Sequence, residues 1–239
     1  MRLTDIKEIT GKIILKSGLH IGSGGMEMQI GGTDNPVIKH PHTLEPYIPG
    51  SSIKGKVRSL LEMRSGLMGK TGGAPVQAGL LGKLDVAQKS ECEKILKLFG
   101  SSGADSEEIG ALGPTRVSFA DCPLSDRWRK KAREERLSLT EVKSENRIDR
   151  IKGTAQDPRF TERVPANTEF EFSVCLKMLR PDEKELLDYL LEGLKLLQMD
   201  ALGGSGSRGY GRIEFRFDDK EIASKFGSLD PFQNGGRKP

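Results

Sequence analysis

The chain has 239 residues, of which 35% are hydrophobic and 30% charged, with a formal net charge of +4. That length supports one substantial core with insertions, and no apolar run approaches the roughly 18 residues of a membrane-spanning helix. Cys92, Cys122 and Cys175 are scattered without a CxxC pair, which argues against a disulfide framework and a structural zinc site. Met1–Asp5 leads straight into a strand-like segment without the apolar region of a signal peptide, so a cytoplasmic location is expected and no membrane partner.

Residues 6–16 are rich in β-branched side chains and read as a first strand. Met28–Gly32 and Pro36–Lys39 suggest two short strands around the turn Thr33-Asp34-Asn35, whose residue types bond readily to their own main chain. Ser51 or Ser52 is suited to cap a helix starting near Ile53, with Ile53, Val57, Leu60 and Leu61 on one face and Lys54 and Arg58 on another. A glycine-rich connector over about 66–83 is expected to be mobile. Residues 90–99 read as a short helix ending at Gly100, 101–113 as loop, and Thr115–Ala120 as a strand.

The charged stretch 126–164 carries twelve Lys/Arg against eight Asp/Glu and is expected to project from the core. Solvated loops and helix faces are the simpler account of such charge taken alone. Alternation returns at Phe170–Val174. Pro181 opens the clearest helix, with Asp182 and Glu183 in its first turn complementing the helix dipole and a leucine stripe from Leu186 to Leu197. Arg212–Phe217 forms a last strand after the glycine loop 203–211. One domain over 1–225, with insertions at about 66–113 and 126–164, and a disordered tail over 226–239 are expected. The order suits an α+β fold with a ferredoxin-like or RNA-recognition-motif-like core and helices on one side of an antiparallel sheet.

Two nucleotide-binding patterns are accidental. Gly50–Lys56 matches GxxxxGK, but Val57 stands where a P-loop needs Ser or Thr. Gly204–Gly209 satisfies GxGxxG but follows a helix and precedes a strand, the reverse of the dinucleotide-binding order. Its flexible amides (Gly204, Ser205, Gly206) and Arg208 still suit a phosphate, as they suit a plain structural turn.

Taken together, Gly18-Leu19-His20-Ile21-Gly22, Asp34-Asn35-Pro36-Val37-Ile38-Lys39, Ile48-Pro49-Gly50-Ser51-Ser52-Ile53-Lys54-Gly55-Lys56-Val57-Arg58 and Leu202-Gly203-Gly204-Ser205-Gly206-Ser207-Arg208-Gly209-Tyr210-Gly211 resemble the RAMP superfamily. With Thr140–Arg150, they resemble specifically the repeated backbone subunit of type III-A (Csm) CRISPR complexes, the subunit that cleaves target RNA. The resemblance implies an RNA-recognition-like core with a thumb-like hairpin. It implies copies stacked head to tail on a guide (CRISPR) RNA, holding single-stranded target RNA beside other Csm subunits. It also implies endoribonuclease cleavage at the loop containing Asp34. That reaction would use a divalent metal (Mg2+ or Mn2+) and the ribose 2′-hydroxyl as nucleophile, leaving a cyclic phosphate and a free 5′-hydroxyl.

Under that resemblance Asp34 is the catalytic residue and candidate metal ligand, acting as general base or as holder of the hydrated metal. Ser51, Lys54, Lys56 and Arg58 at the helix start receive guide phosphates. Arg147, Arg150 and Lys152 belong to a thumb crossing the guide–target duplex. His20 bonds a phosphate, donates a proton, or is structural. Aromatics are 5% of the chain, so sugar and phosphate contacts outweigh base stacking. Two alternatives stand beside the nuclease: a non-catalytic RNA-binding scaffold, and a single-copy endonuclease that processes precursor RNA. The second lacks a convincing His/Tyr/Lys acid–base set near the glycine loop.

Overall fold

The computed structural model describes residues 2–24, 35–101, 110 and 112–232. Strand β1 (Asp5–Leu15) leads through an irregular segment to helix α1 (Gly50–Arg64), then to α2 (Val86–Phe99) and the short strand β2 (Val117–Phe119). Helix α3 (Asp126–Glu134) and the hairpin β3 (Glu141–Ile148) and β4 (Ala155–Arg163) come next. Strand β5 (Glu169–Met178), helix α4 (Glu185–Met199), strand β6 (Ile213–Phe217) and helix α5 (Lys220–Ser228) complete the chain. The main sheet runs β2-β5-β1-β6, all antiparallel. With α3 and the hairpin set aside, β1-α1-β2-β5-α4-β6 in that strand order is the ferredoxin-like arrangement. No described helix is long and apolar enough to cross a membrane.

Register decides the two faces of this sheet. Ile9 pairs with Val174, Gly11 with Phe172 and Phe217, and Ile13 with Phe170 and Phe215, so these residues share the face covered by α1 and α4. Every aromatic residue of the four strands lies there, and Phe172, Phe215, Phe217 and Phe226 form one edge-to-face cluster. The other face carries Lys12–Glu171 and Lys16–Glu214 ion pairs at 2.8 and 3.1 Å. It therefore offers no aromatic ring of its strands to a nucleobase.

Several expectations need correction. No serine side chain caps α1: Pro49 is the N-cap residue, and Asp121 Oδ1 accepts the Gly50 amide at 2.8 Å. The helix start approaches β2 so closely that a Cβ on Gly50 would lie 2.5 Å from the Phe119 carbonyl oxygen. The connector 66–83 packs instead of moving freely. It forms two 3-10 turns and buries Leu67 and Val76 completely. Pro181 opens a 3-10 turn rather than α4, and Glu183 turns inward to Arg116 Nη2 at 2.6 Å instead of facing the dipole.

The tail becomes irregular later than expected. Asp219 caps α5 by accepting from the Glu221 and Ile222 amides, and Phe226 is buried against Phe217. Pro36–Lys39 makes isolated bridges rather than a strand. The expected strand at 28–32 lies outside the described residues. Of the 126–164 insertion, α3 buries Trp128 and Ala132, so only the hairpin projects.

Helices α1 and α4 touch at Gly193, where an added Cβ would lie 2.6 Å from Val57 Cγ1 and 2.9 Å from Leu61 Cδ1. Val57 and Leu61 are fully buried, so a branched side chain has no empty space to enter. We expect Gly193→Val to destabilise the fold by about 1–3 kcal/mol through overpacking, read as a lower urea midpoint at unchanged slope.

Candidate nucleic-acid interface

Four stretches far apart in sequence meet at the root of the hairpin: 18–22, 35–39, 161–164 and 202–211. Leu19 and Val164 exchange main-chain hydrogen bonds at 2.9 and 2.8 Å. Ile38 donates to the Ile21 carbonyl at 2.9 Å, and Glu162 donates to the Asn35 carbonyl at 3.1 Å. The glycine loop closes the group. Gly204 donates to the His20 carbonyl and Gly211 to the Gly18 carbonyl, both at 2.9 Å.

Glycine is required at two loop positions by contact as well as by conformation. Gly203 (φ 75°) would place a Cβ 2.3 Å from the His20 carbonyl oxygen, and Gly211 (φ 71°) would place one 1.9 Å from that of Leu202. Between them Gly206–Arg208 forms a 3-10 turn, entered from Ser205 at φ 62°. The Gly206 and Ser207 amides have no main-chain partner among the described residues. This is the donor arrangement that binds an oxyanion.

Glu162 is the buried acid of the site. Its carboxylate accepts from Lys39 Nζ at 2.6 Å and from the Val37 amide at 2.9 Å, while its carbonyl meets His20 Nδ1 at 2.7 Å. Burial pushes its pKa up, but the hydrogen bonds from Lys39 and Val37 and the Lys39 charge outweigh that and hold it below the ordinary glutamate range. His20 is thereby fixed by the hairpin root, its Nε2 facing Gly22. Asp34, the expected catalytic residue and metal ligand, lies outside the described residues. Its neighbour Asn35 bridges Thr161 on β4.

The glycine loop is joined to the hairpin through charge. Arg208 Nε and Lys143 Nζ both reach the Glu145 carboxylate at 3.2 Å. Tyr210 is fully buried beneath Lys143 and Arg163, with the cations 4.5 and 5.1 Å from the ring centroid. Its hydroxyl makes no hydrogen bond of ordinary geometry, yet burial and the nearby Glu145 carboxylate raise its pKa. Sequence reasoning missed Lys39, Glu145, Glu162 and Arg163 as members of this site. Lys39 and Glu145 lie inside the motifs, but no periodicity or spacing marks a contact formed across the fold.

The remaining expected RNA-binding residues divide. Ser51 is exposed and Lys54 half-buried, and Lys54 has no ion-pair partner among the described residues. Lys56 pairs at 2.7 Å with Asp200, at the entry to the glycine loop. Arg58 does not share an outward face with Lys54. Its guanidinium bonds Glu62 at 2.7 Å and the Val76 carbonyl, bracing the connector that the sequence left loose. On the hairpin, Arg147 pairs with Asp157 at 3.0 Å and is 64% exposed. Arg150 and Lys152 flank the 96%-exposed Ile151 at the tip.

A ferredoxin-like core whose glycine loop, hairpin root and 35–39 segment lock together defines a RAMP protein, and the RAMP superfamily model matches residues 12–214. The CRISPR system Cms endoribonuclease Csm3 of Methanothermobacter thermautotrophicus is 41% identical over 223 residues, covering 87% of this chain and 82% of that protein. The protein of the same name from Streptococcus thermophilus is 37% identical over 227 residues, covering 93% and 92%. Among solved structures, a chain of the Csm3–Csm4 subcomplex of the type III-A CRISPR-Cas interference complex matches at TM-score 0.54 and 27% identity, covering 96% of this chain and 98% of that one. Methanopyrus kandleri Csm3 matches at TM-score 0.57 and 25% identity, covering 89% and 75%. The chain belongs to the RAMP superfamily and, within it, to the Csm3 family.

Two outcomes follow from the geometry. Lys54→Ala should weaken RNA binding without lowering the melting temperature. Arg58→Ala should lower the melting temperature through the unpaired Glu62, and affinity only in proportion to the loss of folded protein. Because the folded pKa of Glu162 is depressed, its stabilisation is complete above the unfolded glutamate pKa and is lost as pH falls through the folded value. Urea denaturation from pH 7 down to pH 3 should show a shallower acid-side decline for Glu162→Gln than for the wild type.

Proposed function

We propose that the chain is the repeated backbone subunit of a type III-A (Csm) CRISPR ribonucleoprotein. It binds guide RNA along its phosphates, stacks head to tail on it beside other Csm subunits, and cleaves complementary target RNA at Asp34. The observation that carries this reading is the junction itself. The segment that follows Asp34 is bonded to the hairpin root through Asn35, Val37 and Lys39, and the hairpin root to the glycine loop through His20. An RNA strand held by loop amides and hairpin cations therefore lies beside that segment. The relatives' shared name, CRISPR system Cms endoribonuclease, agrees with it.

The chemistry is assigned as follows. Loop amides and Arg208 hold a phosphate, and Lys54 and the tip cations hold the flanking backbone. The Asp34 carboxylate accepts the proton of the ribose 2′-hydroxyl as the 2′-oxygen bonds the phosphorus. The P–O5′ bond breaks and the 5′-oxygen leaves with a proton from water, giving a cyclic phosphate and a free 5′-hydroxyl. Alignment of the 2′-oxygen in line with the scissile P–O5′ bond supplies a large part of the acceleration. Among the described residues, which do not include Asp34, there is no cluster of three metal-ligating side chains. A divalent metal, Mg2+ or Mn2+, would be held by Asp34 and would supply charge neutralisation at the reacting phosphate.

In the assembled complex, Asp34→Ala should abolish target cutting, leave guide and target affinity within about twofold, and leave particle length unchanged. A target with one deoxyribose at the cut position should survive there alone, and chelation should stop the wild type. Undiminished cutting by the Asp34→Ala complex would leave the chain a scaffold whose cleavage is done by a partner.

A further inference from the structure

On the sheet face away from α1 and α4, helix α3 lies over the ends of β1 and β6 and leaves a pocket of about 210 Å3. Ile14 and the buried Trp128 line it with apolar surface, and Lys16, Arg127, Lys131 and Arg216 supply four cations against the one lining carboxylate, Glu169. These cations are poorly countered. Lys16 and Arg216 share the single carboxylate of Glu214, at 3.1 and 2.7 Å. Arg127, 82% exposed, reaches Glu169 only at 3.9 Å. Lys131 has no carboxylate partner among the described residues and rests over the Trp128 ring, 5.2 Å from its centroid.

The pocket adjoins the junction through the backbone. Lys16 donates to the Arg212 carbonyl at 2.7 Å, the Arg212 amide donates to Ser17 Oγ at 3.0 Å, and the next residues are Gly18 and Gly211, which bond each other. A strand leaving the glycine loop in this direction meets excess positive charge. Its backbone has one phosphate per nucleotide, so neighbouring phosphates can meet the Arg127–Lys131 edge and the Lys16–Arg216 edge together.

We infer that α3 and the ends of β1 and β6 form a second phosphate-binding site for single-stranded RNA, behind the sheet and continuous with the junction. The site lies outside the proposed cleavage machinery, though it rests on the reading of the chain as an RNA binder. Arg127 and Lys131 are its principal ligands, because neither must give up a close ion pair to engage a phosphate. Binding there is insensitive to base identity, since no ring is free to stack.

Trp128 is the chain's one tryptophan and lines the pocket, so its emission reports occupancy. The full chain is titrated with a short oligouridylate while Trp128 fluorescence is followed, with anisotropy of the same RNA, end-labelled, measured in parallel. The two signals should saturate together and weaken together with salt. Arg127→Ala/Lys131→Ala should lose the Trp128 response, bind RNA several-fold more weakly, and show a salt slope smaller by about 1. Arg133→Ala, an exposed change on the same helix outside the pocket, should alter neither.

RNA binding without any Trp128 response in the wild type would overturn the inference, whatever the variants do. So would an unchanged salt slope in a folded double variant. A Trp128 response to inorganic phosphate at the same concentrations would make this a small-anion pocket instead. An equal response to polyglutamate would make it a protein-docking site. Absence of RNA binding by anisotropy would defeat this proposal and the RNA-binding reading together, which separates the two kinds of failure.

Discussion

The Glu162 carboxylate binds the amide of Val37 and the ammonium of Lys39, while its own main chain holds Asn35 on one side and His20 on the other. Residues separated by more than a hundred positions are thus fixed to each other through one side chain and one peptide unit. A partly exposed lysine and a main-chain amide satisfy the buried charge, the condition under which burial of a carboxylate is tolerated. The hairpin pairs with no strand of the main sheet, so these bonds, the Leu19–Val164 bridge and the contacts of Glu145, Lys143 and Arg163 with the glycine loop set its angle. A change in that angle displaces residues 35–39 as well, because Asn35, Val37 and Lys39 are all bonded to Glu162.

The sheet has been turned away from the use that RNA-recognition motifs make of theirs. Stacking on an open sheet needs exposed rings, and here the strand aromatics pack beneath α1 and α4. The open face instead holds alternating charges that neutralise one another over most of its width. On the proposed reading, recognition moves to the rim, where loop amides, the hairpin and helix ends supply donors that do not distinguish bases. A protein that must accept any guide sequence has no use for base-specific stacking.

Much of this architecture was legible in the chain. The β-branched run of 6–16, the alternation around Phe170–Val174 and the leucine stripe before Met199 report burial directly, because their periods match the elements they form. The glycine loop announced itself as well. Arg58 was misread because a basic residue one helical turn from Lys54 looks solvent-facing until the connector carrying Val76 is seen folded against it. Helix α3 was hidden by its charge: only Trp128 and Ala132 in nine residues touch the core. Glu162 left no local trace, since nothing in Phe160-Thr161-Glu162-Arg163 specifies a partner at position 37 or 39.

Arg116 and Glu183 form the most deeply buried ion pair among the described residues, with side chains 0% and 1% exposed. Glu183 also accepts the Leu179 amide at 2.9 Å, so the pair secures the entrances to both β2 and α4. Losing either partner alone strands a charge in the interior, a defect of roughly 3–5 kcal/mol and a large share of a typical domain's stability. Replacing both by apolar residues of similar volume can be nearly neutral. Descendants of this sequence therefore face a fitness valley at these two positions, crossed by paired replacement or not at all. The pair should persist or vanish together in related sequences, even though it touches no RNA.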